Sequence, residues 1–211
     1  MTKIHWKAGT MIYPVPAVLV SCGNEQTGFN IITIAWTGTL CTTPPMCYIS
    51  VRPERFSYGL ITKTGEYVIN LTTRKLAYAT DWCGVQSGRD VDKFKEMHLT
   101  PAKAQIVQAP LITESPLNIE CRVRDIVPLG SHDMFISEVL AINAEASLVH
   151  PHTGAFQLSH ADPICYAHGR YFALGRLLGT FGYSVRKRKR SAGRSSRGKD
   201  HAIRDGRDGR R

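Results

Sequence analysis

The segment VRPERFSYGL, residues 51–60, sets two guanidinium side chains, Arg52 and Arg55, around Pro53 and follows them with Ser57 and Tyr58. An apolar run leads in and a helical spacing leads out. The first turn of a helix offers unpaired backbone N–H groups and the positive end of the peptide dipole. Guanidinium forks beside such a turn make a phosphate site. Charge-assisted hydrogen bonds are worth ~1.5–3 kcal/mol each, so two or three would anchor one phosphate. The same residues also fit a surface loop with Ser57 as helix N-cap and two solvated arginines. Spacing alone does not separate the two readings.

Just upstream, TIAWTGTLCTTPP (33–45) places Trp36 among five threonines and Gly38. Hydroxyls and N–H groups here can bond the edge of a planar heterocycle. Gly38 would admit a ligand close to the backbone, and Trp36 could stack on a ring. Taken alone, the plainer reading is a core Trp36 with threonines filling a strand end. Two later stretches add candidates. SGRDVDKF (87–94) presents Arg89 and Lys93, for a phosphate contact or as ordinary helix-surface charge. GSHDMFISEV (130–139) puts His132 beside Asp133 at a turn, where an imidazole would titrate near neutral pH or simply cap the turn.

Other chemistries lack their signatures. There is no GxGxxG after a strand, no GxxxxGK[ST], no HExxH and no CxxC pair. His150 and His152 flank a proline and read as loop histidines rather than metal ligands, so no metal is expected. Six scattered cysteines read as reduced thiols of a cytoplasmic protein. Cys41 is the one that stands beside the candidate ring segment. The longest apolar run, AVLV at 17–20, is too short to span a membrane, and the N-terminus lacks a signal-peptide core.

The elements that must hold these residues read mainly as strands: 11–23, FNIITIAW (29–36), MCYISV (46–51), EYVINL (66–71), and a hairpin of LNIECRVRDIV (117–127) with the segment after His132. In the hairpin's first arm, Leu117, Ile119, Cys121 and Val123 alternate with Asn118, Glu120, Arg122 and Arg124, the period of a half-buried strand. Short helices are expected at 57–63, stopped by Gly65, at 76–84, ended by Gly84, and near 91–97. Successive strands with few helices between them argue for an antiparallel barrel or sandwich.

The charge is not evenly spread. Residues 184–211 hold 12 of the 27 Lys/Arg and 3 of the 17 Asp/Glu, a net +9, which leaves net +1 for residues 1–183. The body is expected to be one domain of 1–183. The tail has too little apolar surface to offset its ordering entropy and is expected to be disordered. It has no aromatic residue, so its contact with nucleic acid would be limited to weak, salt-sensitive phosphate binding.

In this order, the pieces resemble the flavin reductase-like proteins with an FMN-binding split barrel, and among them the flavoredoxin-like group. The residues that carry the likeness are 30–61, EYVINL, CGVQSGRDVDKF (83–94) and GSHDMFISEV; with the early strand they span roughly 14–149. The resemblance implies a six-stranded antiparallel Greek-key split barrel with short peripheral helices, a homodimer, and FMN near the subunit interface. It implies that Ala35, Trp36, Thr37, Gly38 and Thr39 lie along the isoalloxazine ring. It places Ser50, Arg52, Arg55 and Ser57 at the phosphate end, with Lys93 and His132 as further contacts. Ser137 stands where the family often has glycine, and the basic tail is not a family feature. The implied reaction is hydride transfer from NADH or NADPH to flavin, with electrons passed to an acceptor such as a partner protein. Alternatives are an FMN electron carrier reduced by a protein partner, and a non-enzymatic binding module whose tail attracts nucleic acid.

Overall fold

The computed structural model describes residues 1–186. The chain divides into two compact units, Met1–Gly175 and Arg176–Arg211. Within the second unit the described stretch carries one 3-10 turn, Tyr183–Val185. The expectations of a disordered tail and of nucleic-acid contact fall largely on 187–211, outside the described residues.

The first unit is built on one antiparallel sheet. Its strands are β2 (Val18–Asn24), β3 (Gly28–Ile34), β4 (Thr37–Thr42), β5 (Pro45–Val51), β6 (Glu66–Leu71), β9 (Leu117–Pro128) and β10 (Asp133–Ala144), in the spatial order β3-β2-β6-β9-β10-β5-β4. The strands β3 and β4 occupy opposite edges, yet only Ala35 and Trp36 separate them in the chain. Three Cα–Cα steps, from Ile34 to Thr37, span at most about 11 Å. The sheet must therefore curl until its edges meet, which makes a barrel with a seam at Ala35–Trp36. Register shifts in the long β9–β10 hairpin, at Ile136/Ser137 and Val139/Ala141, supply bending. The mainly β, split-barrel expectation is what the structure shows. The seventh strand is β4: its threonine-rich stretch looked like loop, but its backbone pairs with β5.

Burial explains the sequence patterns. On β2, Val18, Val20 and Cys22 face the barrel interior with Ile49, Tyr67 and Phe135. Leu19 faces outward but is covered, with Ile31, by two helices, α2 (Ala77–Val85) and α3 (Lys93–Glu96). A strand buried on both faces reads as an unbroken apolar run, which is why AVLV does not alternate. Helix α1 (Phe56–Thr64) plugs the interior with Leu60 and Ile61 and stops at Gly65, whose φ of 69° is left-handed. Helix α2 runs one residue past Gly84, to Val85, with Gln86 as its C-cap; Gly84 stays helical, with Thr33 packed against it. Among the described residues no helix is long and apolar enough to cross a membrane.

The polar face expected on β9 is corrected by the structure. Asn118 and Glu120 are buried, because residues 100–115, with the short strands β7 (Pro101–Ala102) and β8 (Leu111–Ile112), lie over them. The Glu120 carboxylate accepts from the N–H groups of Gln105, Ile106 and Val107 and from Asn143 Nδ2. Asn118 bonds Asn70 and the Ile112 carbonyl. A second small sheet, not anticipated, joins β1 (Val15–Pro16), β11 (Ile164–Ala167) and β12 (Arg170–Ala173).

Candidate functional site

Two adjoining cavities open at the barrel seam and share Ile32 and Arg55. One, of about 280 Å³, lies along the seam. Ala35, Trp36, Ser50, Arg52 and Arg55 line it, with His132 from the β9–β10 turn and Tyr166 from β11. The other, of about 320 Å³, lies between α1, the end of α2 and the start of α3. Its polar lining includes Asn30, Arg55, Ser57, Arg89 and Lys93, with Glu54 as the one acidic residue.

The seam cavity is lined in part by aromatic rings, Trp36 and Tyr166. Trp36 and Tyr166 both pack toward Tyr13, with ring centroids 6.2 and 6.3 Å from it, and Tyr13 lies 4.4 Å from the His168 ring. The Ser50 N–H donates to the Trp36 carbonyl at 2.8 Å and pins the crossing residue to β5. His132 sits at the rim on a hairpin tip tied down by Tyr58, whose hydroxyl donates to Asp133 Oδ2 at 2.7 Å. Burial, with the nearby charges of Arg52 and Arg55, holds the imidazole below its usual pKa, so its neutral form is favoured. Arg52 itself is half exposed and paired with Glu54 at 3.4 Å.

The second cavity is cationic. The first turn of α1 opens on it, with Arg55 as N-cap, no side chain capping the free N–H groups and no acidic residue in the turn. Ser57 is buried, and its hydroxyl oxygen accepts from Asn30 Nδ2 at 2.7 Å. Lys93 is only 4% exposed. Its Nζ donates to the Cys83 carbonyl at 2.7 Å, in the last turn of α2, which leaves two further N–H donors. Burial, helped by the charge of Arg55, lowers its pKa from the ordinary lysine value. Arg89 reaches the Glu54 carbonyl at 3.2 Å and stands 5.9 Å from the Phe56 ring. Among the described residues, Arg55, Arg89 and Lys93 form no ion pair with a carboxylate. A buried ammonium without a carboxylate, beside an uncapped helix start, is a donor set that suits a bound anion.

Of the residues singled out in the sequence, the structure gathers Ala35, Trp36, Ser50, Arg52 and His132 at the seam, and Ser57 and Lys93 in the cationic cavity, with Arg55 serving both. Thr37, Gly38 and Thr39 line neither. The Thr37 hydroxyl is engaged by the Tyr48 carbonyl at 2.7 Å, and the space beside Gly38 is filled by the Tyr48 ring. Gly38 is therefore small for a neighbouring side chain. Asn30, Gly88 and Tyr166 also line these cavities and were not singled out in the sequence. An Asn inside the apolar run FNIITI was one available signal. The pair His168-Gly169 between ICYA and RYFA was another, since a two-residue X-Gly connection marks a hairpin.

A family model described as a flavin reductase-like domain matches residues 10–175. The chain belongs to the flavin reductase-like family. It is similar to flavoredoxin of Desulfovibrio vulgaris (Miyazaki F), at 29% identity and TM-score 0.81, across 88% of this chain and 100% of that one. It is also similar to flavoredoxin from Methanosarcina acetivorans, at 25% identity and TM-score 0.79, again across 88% and 100% of the two chains. A relative with a named reaction is the reductase component of a 4-nitrophenol 4-monooxygenase/4-nitrocatechol 2-monooxygenase of Rhodococcus opacus. It is 25% identical over 71% of this chain and 75% of its own length.

Proposed function

We propose that this protein is an FMN-binding oxidoreductase that takes hydride from NADH or NADPH and passes electrons to an acceptor. The observation that carries the reading is the pair of adjoining cavities: one lined by Trp36 and Tyr166, one by Lys93, Arg55 and Arg89, joined at Arg55. That division matches a ligand with a planar heterocycle at one end and a phosphate at the other.

Bound FMN would supply the redox chemistry, since a flavin accepts a hydride and returns electrons singly or in pairs. The chain's part is position and electrostatics. Ser57, Arg55, Lys93 and the first turn of α1 would hold the phosphate, with Arg89 adding charge at the cavity's outer side. Ala35, Trp36 and Ser50 would lie along the ring. Arg52, Arg55 and a neutral His132 at the rim would favour negative charge that develops near them. No residue of the seam is required as a general acid or base for hydride transfer.

The likeness to two flavoredoxins favours a second reading, in which the same site carries electrons from a protein donor and not from a nicotinamide. A homodimer is part of the proposal: Leu40, Phe172 and Leu174 are exposed apolar residues that a second copy would cover. Free, largely buried thiols suit a reducing compartment such as the cytoplasm.

The test is anaerobic. The protein is loaded with FMN, NADH or NADPH is added, and the oxidised-flavin absorbance is followed. Rapid bleaching by either nucleotide supports the reductase reading and names the donor. Bound flavin that neither nucleotide bleaches supports the carrier. Failure to bind or turn over flavin refutes both.

A further inference from the structure

Asn30 and Gly88 meet at the cationic cavity in a way the ligand contacts alone do not require. Asn30 is on β3, 3% exposed, and its amide spans from α1 to the loop after α2. On one side Nδ2 donates to Ser57 Oγ at 2.7 Å. On the other, the amide lies against Gly88 so closely that a Cβ there would fall 2.1 Å from Oδ1 and 2.6 Å from the amide carbon. Both atoms belong to a side chain held by a buried hydrogen bond, so it cannot swing away at little cost. Gly88 is not among the glycines with positive φ. Its backbone is one that alanine adopts freely, and it is glycine for space alone.

The polarity of the Asn30–Ser57 bond then matters. A serine hydroxyl has one proton and two lone pairs. With one lone pair occupied by Asn30, the hydroxyl proton remains available for an acceptor in the cavity. Had the side chain at 30 been an acceptor, that proton would be turned inward and the cavity would face an oxygen lone pair.

Taking the cationic cavity as the phosphate end of a flavin site, we infer that Asn30, locked in place by Gly88, is a positioning residue that turns the Ser57 hydroxyl into a phosphate donor. The interlock makes the site choose phosphorylated over unphosphorylated flavin. Asn30 does this through Ser57, and Gly88 does it through Asn30.

The test is titration of the full-length apo protein with FMN and with riboflavin, which carries the same ring and no phosphate. Asn30→Asp keeps the shape but reverses the bond and adds a negative charge. It is expected to raise the FMN Kd about ten- to one-hundred-fold while the riboflavin Kd stays within about two-fold, the range of one charge-assisted hydrogen bond lost. Gly88→Ala is expected to weaken FMN selectively too, and to cost nothing further when added to Asn30→Ala, because the group it collides with is gone. Gly88→Ala carries the test if Asn30→Asp does not fold. Parallel loss of both ligands, no loss of either, or a Gly88→Ala cost that is the same in both backgrounds would each overturn the interlock. Wild-type protein that binds FMN no better than riboflavin would overturn the phosphate-site reading itself, and the interlock with it.

Discussion

Replacing Lys93 with methionine separates two roles the structure gives that residue. Its ammonium group caps the Cys83 carbonyl near the C-terminus of α2, which is a structural service. It also places two further N–H donors at a cavity whose one acidic lining residue, Glu54, pairs with Arg52 and not with Lys93, which leaves them for a ligand. Methionine keeps most of the apolar stem and removes the charge. A charge-assisted hydrogen bond to phosphate is worth about 1.5–3 kcal/mol, so the FMN Kd should rise about ten- to one-hundred-fold while riboflavin affinity is unchanged. Apo stability should change little, within about 1 kcal/mol, because the orphaned carbonyl is offset by relief of a desolvated charge. Stability against pH gives an independent check. Burial lowers the Lys93 pKa in the folded state, so between that value and the ordinary lysine value the unfolded chain binds more protons than the native one. Native stability from this residue therefore rises with pH across that window. Wild-type protein should gain on Lys93→Met as pH climbs toward the lysine range, measured by urea unfolding at several pH values. A variant that unfolds far more easily at neutral pH yet binds FMN as tightly as wild type would refute the anchor and leave only the helix cap.

The remaining predictions concern neighbouring residues. Arg55 borders both cavities and has no carboxylate partner among the described residues, whereas Arg52 is half exposed and paired with Glu54; Arg55→Ala should weaken FMN at least about ten-fold by fluorescence titration, and Arg52→Ala distinctly less. Glu120→Gln should destabilise the protein by about 1–3 kcal/mol in urea, because an amide group then faces three backbone N–H donors. Burial pushes the Glu120 pKa up, but those N–H groups and Asn143 outweigh it and hold it below the usual carboxylate value, so its contribution is present above that value and lost as pH falls through the lowered one. Cys47 and Cys121 have sulfurs 3.5 Å apart, but they belong to β5 and β9 with β10 between them. Strands so placed are roughly 9–10 Å apart when flat, beyond the ~7 Å a disulfide allows between Cα atoms. Air-oxidised protein should still show both thiols on denaturation, with Cys41 and Cys165 reacting first in the native state; a Cys47–Cys121 crosslink in a peptide digest would refute this.

What could be seen in the chain beforehand follows from range. Gly65 stops α1 because a left-handed residue is needed four positions after Ile61, a local demand that any reader of the sequence meets. The strands β6, β9 and β10 showed for the same reason. Glu120 was misplaced because its partners are the backbone of residues 105–107, about fifteen positions away; alternation reports which side chains share a face, and nothing in it says that a loop will cover the polar one. The threonines of β4 hid a strand in the opposite way. Their polarity suggested a ligand loop, but the strand is an edge, where polar side chains are ordinary, and Gly38 makes room for Tyr48. Arg55, Ser57 and Lys93 stand out in the sequence because charge and helix starts are local signals. Asn30 does not, although it touches Ser57, because its place is set by contact across 27 positions with one side chain and by an absent Cβ at a third. A residue that binds ligand announces itself by type. A residue that orients it is an ordinary asparagine until the fold shows what stands on either side.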